Sequence, residues 1–152
     1  LIRDDADFCA HMNYVHINTK FSKLKEYLTY LKNYQSRSLS DIKTDHTLHG
    51  AVLHYLQLSI ECALDLGEML ISQLKFRRPK ESREVFLILA EENILPEDFA
   101  KRFSKIAGLR NILVHEYADI DLEIIYSHLQ NDLPDFDFYI QAIFKTIKKD
   151  LT

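Results

Sequence analysis

Tryptophan is absent, and glycine and proline occur three times each in 152 residues. So few turn-formers disfavour a β-rich fold, whose many tight connections draw on both. Cysteine occurs twice, at Cys9 and Cys62. Two such residues make neither a disulfide framework nor a zinc cluster, and they suit a reducing cytoplasm. The longest apolar run, from Val85 to Ala90, is far short of the roughly 20 residues that cross a bilayer, so no membrane association is expected. The N-terminus lacks the basic-then-apolar pattern of a secretory signal. There is no glycine-rich phosphate loop. His46, His49 and His54 lie three and five residues apart, without a convergent carboxylate or thiol, so no metal and no cofactor are expected. Basic residues are outnumbered by acids, 19 to 23, for a formal charge of −4. A net-acidic chain is not an obvious nucleic-acid binder, although the distribution of charge matters more than its sum.

What is present fits one globular domain: 47% hydrophobic and 28% charged residues. Residues 1–11 carry Arg3, Asp4, Asp5 and Asp7 with no lasting periodicity, and Met12 reads as a natural start. The expectation is a leader outside the fold, then a single domain over 12–152.

That domain reads as helices. Ile17, Phe21, Leu24, Leu28 and Leu31 form one stripe, with Asn18 as N-cap and the polar stretch 35–38 as its end. Ser40 and Asp41 cap a short turn or open the next element. Leu48, Val52, Tyr55, Ser59, Cys62, Leu66, Met69 and Gln73 step by three and four throughout, the strongest helical signal, and small Ser59, Cys62 and Gly67 invite close approach by a neighbour. Residues 85–90 read as a short buried helix, with a strand as the alternative. Pro96, Glu97 and Asp98 open a helix that Gly108 interrupts. Asp119 or Asp121 caps the next, Pro134 stops it, and Asp135 starts a last helix with Phe136, Ile140, Ile143, Phe144 and Ile147 inside. The fold class is all-α: an antiparallel four-helix bundle with short additional helices.

Chemistry concentrates after Gly108, where Arg110, Asn111, His115, Glu116 and Tyr117 surround an apolar trio, residues 112–114. Arg110 offers a planar, permanently charged donor fork suited to phosphate. An imidazole such as that of His115 serves as acid or base near neutral pH. Arginine with histidine suffices to cut RNA without a metal, because the ribose 2′-hydroxyl is the nucleophile. On a regular helix Arg110 and His115 stand about 140° apart, so one protomer does not aim both at one atom unless the helix breaks. Arg110 and Tyr117 share a face, as do Asn111 and His115. A two-fold dimer brings two copies of the segment together. The same spacing also suits a plainer role, with Arg110 and Tyr117 bonding helix ends and His115 satisfied in the core.

Two basic clusters flank this segment: Lys75, Arg77, Arg78, Lys80 and Arg83 in a predicted loop, and Lys101, Arg102 and Lys105 upstream of the motif. Either contacts an RNA backbone or is simply solvated. Glu61 and Asp65 sit at i, i+4 beside the apolar stripe, and Asp65 is the candidate to orient Arg110 or His115. Glu116 is a candidate helper base. Tyr27, Tyr30 and Tyr34 form an aromatic patch expected to pack rather than to stack on bases.

The Arg-x4-His-x-Tyr pattern at 110, 115 and 117, followed after Ala118 by Asp119-Ile-Asp121, resembles the signature of the HEPN (higher eukaryotes and prokaryotes nucleotide-binding) superfamily and of its HepT-like toxins. Residues 56–67, with Glu61 and Asp65, are similar to that family's long second helix, and residues 88–95 to the segment leading into its third main helix. The likeness runs from about Phe21 to Phe144. It implies a homodimeric, metal-independent endoribonuclease toxin acting on RNA, with Arg110 and His115 catalytic and Asn111 orienting. It further implies a minimal nucleotidyltransferase (MNT) antitoxin that moves AMP from ATP onto Tyr117. The alternative is a non-catalytic HEPN module that partners a nucleotidyltransferase; a purely structural helical adaptor is a third reading.

Overall fold

The computed structural model describes residues 5–150, with backbone alone at 5–13 and at Tyr117. Residues 1–4 of the expected leader lie outside the described residues, while the backbone from Asp5 is helical and continuous with the rest of the first helix. The chain runs α1 (Asp5–Tyr34), α2 (Leu39–Thr44), α3 (His46–Gln73), α4 (Glu84–Glu91), α5 (Glu97–Phe103), α6 (Lys105–His115), a 3₁₀ turn (Tyr117–Asp119), α7 (Leu122–Asn131) and α8 (Leu133–Asp150). No strand occurs among the described residues. None of the described helices is long and apolar enough to cross a membrane.

Helix α3 is the axis of the domain. Its apolar positions are buried almost all round, from Leu48 and Val52 through Leu56, Ile60 and Ala63 to Leu66 and Leu70, because α1, α4, α6 and α8 each pack against it. Helix α1 runs antiparallel to α3, with Lys20 at Asp65 and Tyr30 at Tyr55. Helix α8 runs antiparallel to α1, with Phe21 against Phe144 and Lys32 against Asp137. The expected bundle of long helices with short extra ones is therefore what forms. The closest approach falls at Gly67, where a Cβ would stand 2.4 Å from Val85 Cγ1 and 2.8 Å from Tyr139 Oη. Tyr139 is wholly buried, and its hydroxyl donates to Ala63 O at 2.7 Å, tying α8 to α3.

Several boundaries differ from the sequence reading. Asn18 lies inside α1 rather than capping it, since the helix begins at Asp5. Ser40 and Asp41 open α2, the second of the two readings, and the cap is Ser38: its hydroxyl accepts from Asp41 N while the Asp41 carboxylate accepts from Ser38 N, a capping box. Residues 85–90 are helical, within α4. The break after Pro96 falls at Ser104, where backbone bonding passes from Ser104 N–Ala100 O to the tighter Ala107 N–Ser104 O. Gly108 sits within α6 and interrupts nothing. Pro134 does not stop α7; it occupies the first turn of α8, where its missing N–H costs nothing. Asp121 is the cap of α7, accepting from Glu123 N. Phe144, expected on the inner stripe of α8, is 51% exposed.

Candidate ribonuclease site

The motif is delivered by α6 and the turn after it. Ile106, Ala107, Leu109 and Leu113 bury one side of α6, which leaves the opposite side free. Gly108, Asn111, Ile112 and His115 share that exposed face at i, i+3, i+4 and i+7 spacing. His115 is the last residue of α6 and is exposed, so it is not a core histidine. At Glu116 the backbone leaves the helix (φ −119°, ψ 27°) and enters the 3₁₀ turn. Tyr117 therefore does not share a helical face with Arg110, because the helix has ended; its side chain lies outside the described residues. Glu116 is exposed and makes no side-chain bond among the described residues.

Arg110 points the other way, toward α3, and is 36% exposed. Its Nη1 donates weakly to Asn111 Oδ1 at 3.4 Å. Its Nε faces Glu61 Oε1 at 3.7 Å, an ion pair too long to be a hydrogen bond, and is shut off from solvent without a hydrogen-bond partner. Glu61 is itself held by Gln57 Nε2 at 3.2 Å. Asp65, expected to orient Arg110 or His115, spends its carboxylate on Lys20 Nζ at 2.8 Å. It still lines the same cleft as Arg110. Glu61, one turn earlier on α3, is the acid that meets the guanidinium. Glu68 completes the row and was missed in the sequence, although 61, 65 and 68 have helical spacing. These acids, Leu64, Ser82 and Arg110 line a cleft of ≈ 320 Å³. Burial raises the Glu68 carboxyl above its ordinary value, Asp65 adds to the rise, and Arg110 opposes it.

The basic clusters divide. Arg77 forms a fork with Glu91 at 2.8 and 2.9 Å and reaches Glu84. Arg83 binds Glu81, and Lys101 binds Glu97. Arg102 pairs with Asp135 and covers the Phe99 ring. The side chains of Lys75, Arg78, Lys80 and Lys105 have no ion pair among the described residues and are exposed. The tyrosine patch is packed: Tyr27 and Tyr30 both lie against Tyr55, and Tyr27 and Tyr34 against the core. Cys62 is buried, as a small apolar residue is.

An all-helical bundle that ends its sixth helix on the histidine of Arg-x4-His-x-Tyr defines a HEPN-type module. The chain belongs to the ribonuclease HepT-like family, whose model matches residues 24–143, and this places it among ribonucleases. It is 34% identical over 104 residues to the mRNA nuclease HepT of Shewanella oneidensis, covering 68% of this chain and 78% of that protein. It is 31% identical over 129 residues to the tRNA nuclease HepT of Aphanizomenon flos-aquae, covering 85% and 88%. Among solved structures, a tri-AMPylated Shewanella oneidensis HEPN toxin in complex with MNT antitoxin superposes with a TM-score of 0.77 at 29% identity, covering 85% of this chain and 96% of that one. A toxin–antitoxin crystallised with AMP-PNP gives 0.78, also at 29% identity, covering 85% and 97%.

Proposed function

We propose that the chain is a metal-independent endoribonuclease toxin that cuts RNA at a composite site between two copies of itself. One observation carries the composite site. Helix α6 is unbroken from Arg110 to His115, so the two side chains stand about 140° apart around its axis. Arg110 is turned to α3 and His115 to solvent. The exposed side of α6 also leaves Ile112, 40% accessible, beside His115. A two-fold contact through this side covers that apolar side chain and brings the second copy's motif to the first.

The chemistry needs no further group. One His115 imidazole accepts the proton of the ribose 2′-hydroxyl as its oxygen attacks phosphorus. The P–O5′ bond breaks, and the leaving oxygen takes a proton from the His115 of the other copy. The products are a 2′,3′-cyclic phosphate and a 5′-hydroxyl. Arg110 supplies fixed positive charge to the equatorial oxygens as negative charge builds on them. Its Nη atoms are the open end of the fork, since Nε is enclosed.

An MNT nucleotidyltransferase antitoxin silences the enzyme by transferring AMP from ATP to Tyr117. Support comes from the position of Tyr117, in a turn two residues past His115 whose neighbours Glu116, Ala118 and Asp119 are exposed. Phosphate added there competes for Arg110 and repels the RNA backbone. The test is cleavage of total RNA by the purified protein and by His115→Ala and Arg110→Ala. Both variants fold and are inactive if the proposal holds; cleavage at the wild-type rate by either rejects the assignment. Intact mass of the protein co-produced with its nucleotidyltransferase, with and without Tyr117→Phe, tests the modification: AMP adducts on the parent that persist on the variant reject Tyr117 as acceptor.

A further inference from the structure

Helix α3 ends in a way that costs it something. Its C-cap is Leu74, and the next residue, Lys75, holds a left-handed backbone with φ 58°. Phe76 N bonds Ile71 O at 3.0 Å and Lys75 N bonds Ser72 O at 3.3 Å, which is the Schellman arrangement that glycine fills without strain. A lysine at such a place points to use of its side chain. Lys75 and Arg78, with Ser72, Phe76 and Glu68, line a cleft of ≈ 330 Å³. Glu68 also lines the Arg110 cleft, so the two clefts meet along α3. Glu68 and Lys75 are seven residues apart, about 10 Å along the helix axis.

The charges along this joined groove are ordered. Arg110 stands at one end, Lys75 and Arg78 at the other, and Glu61, Asp65 and Glu68 lie between. A phosphate is repelled over the carboxylate row and attracted at both ends. A nucleotide laid across the row instead presents donors to it: the sugar 2′-hydroxyl and the exocyclic amines of bases. Arg77 and Arg83 do not contribute, because Glu91, Glu84 and Glu81 already neutralise them.

We propose that Lys75 and Arg78 hold a second phosphate of the same single RNA strand whose scissile phosphate Arg110 engages, with the α3 carboxylates facing the sugar and base between the two. This rests on the ribonuclease reading and deepens it by giving the strand a path.

The test measures binding of a labelled 2′-O-methyl oligoribonucleotide, which lacks the attacking hydroxyl, across a series of salt concentrations. Each single-strand phosphate contact contributes about 0.7 to the slope of log K against log salt. Lys75→Ala/Arg78→Ala, which releases that one phosphate, is expected to lower the slope by about 0.7 and to weaken binding at low salt. Lys25→Ala/Lys43→Ala, which removes the same charge from α1 and α2, is expected to keep the parent slope. Lys75→Gly separates contact from strain: it is expected to raise the Tm, since glycine suits φ 58°, and still to lower the slope. A slope unchanged in Lys75→Ala/Arg78→Ala, or lowered equally in Lys25→Ala/Lys43→Ala, overturns the proposal. Cleavage of total RNA by the parent protein is run in parallel. Absence of that activity in the parent rejects the ribonuclease reading, whereas the salt slopes decide the second phosphate position.

Discussion

Substituting Gly67 by alanine places a methyl where the bundle has no room. The new Cβ would stand 2.4 Å from Val85 Cγ1 and 2.8 Å from Tyr139 Oη. Neither neighbour yields cheaply. Val85 and Tyr139 are both wholly buried, and valine is stiff about χ1. Alanine in a helix interior gains about 0.8–1 kcal/mol over glycine. Against this, overpacking costs about 1–3 kcal/mol. Pushing the Tyr139 hydroxyl off Ala63 O strands a buried donor, a further loss of about 1–3 kcal/mol. The net expectation is a destabilisation of about 2–4 kcal/mol, or a Tm lower by roughly 4–16 °C for a chain of this size. Gly50→Ala is the control: nothing lies within 4 Å of its would-be Cβ, so the helix-propensity gain stands alone and the Tm rises. Adding Tyr139→Phe to Gly67→Ala removes the crowded oxygen and recovers part of the loss, a non-additive coupling of about 0.5–3 kcal/mol. Thermal unfolding tracked by circular dichroism measures all three. A Gly67→Ala variant as stable as Gly50→Ala would refute the close approach of α4 and α8 to α3.

Glu68→Gln tests the acid row through pH. Its carboxyl is raised, by burial first and by Asp65 next, so the charged form is the disfavoured one in the folded state. The stability it contributes is full below the ordinary glutamate value and is lost as pH rises through the raised folded value. Glu68→Gln is therefore expected to have a higher Tm than the parent at neutral pH, and the gap is expected to close in acid; a gap constant with pH contradicts this. Glu61→Gln removes the charge facing Arg110 Nε across a half-exposed pair, worth about 0–1 kcal/mol to stability. Its Tm is expected to stay near the parent's while RNA cleavage falls roughly 10- to 100-fold from misplacement of the guanidinium; unchanged cleavage separates Glu61 from the site. Gly108→Leu adds bulk to the exposed face of α6, where the protomer has open space. It is expected to leave the protomer folded, shift it to monomer in light scattering and lower cleavage, and a dimer of parent stability would move the two-fold contact elsewhere.

The parts of the fold legible in the sequence are those fixed by long apolar periodicity. The α1 stripe reaches the core at Ile17, Leu24 and Leu28, and the α3 stripe at Leu48, Val52, Cys62 and Leu66, while its Tyr55, Met69 and Gln73 are only half-buried. Small Gly67 is readable as a contact, because a missing side chain on an inward stripe has few other uses. The boundaries are less legible because local signals compete. Asn18 has the chemistry of a cap, yet helical residues precede it, so no cap is needed there. Gly108 has the chemistry of a breaker, yet one glycine costs only about 1 kcal/mol in a helix, and Ile106, Leu109 and Leu113 offset that by burial. Hydrophobicity alone puts Phe144 inside, but it is half exposed and meets α1 edge-on at Phe21, while Ile140, Ile143 and Ile147 of the same helix are buried.

The site shows the same division between pattern and partner. Arg-x4-His-x-Tyr is local in sequence and so is visible there, whereas which charges remain free is decided by contacts between distant elements. Arg77 meets Glu91 only because α4 folds back beside the loop, and Arg102 meets Asp135 only because α5 lies against the start of α8. In sequence the two basic clusters, of five and three cations, look alike in kind; after folding, four of the eight cations are neutralised, and Lys75 and Arg78 remain free in a cleft that shares Glu68 with that of Arg110. Asp65 makes the converse point. It has the spacing to orient Arg110, but Lys20 of α1 reaches it first, and the guanidinium faces Glu61 instead. The single turn between those two acids decides which edge of the arginine is covered. With Nε enclosed against Glu61, the phosphate contact proposed above falls to the Nη edge of Arg110.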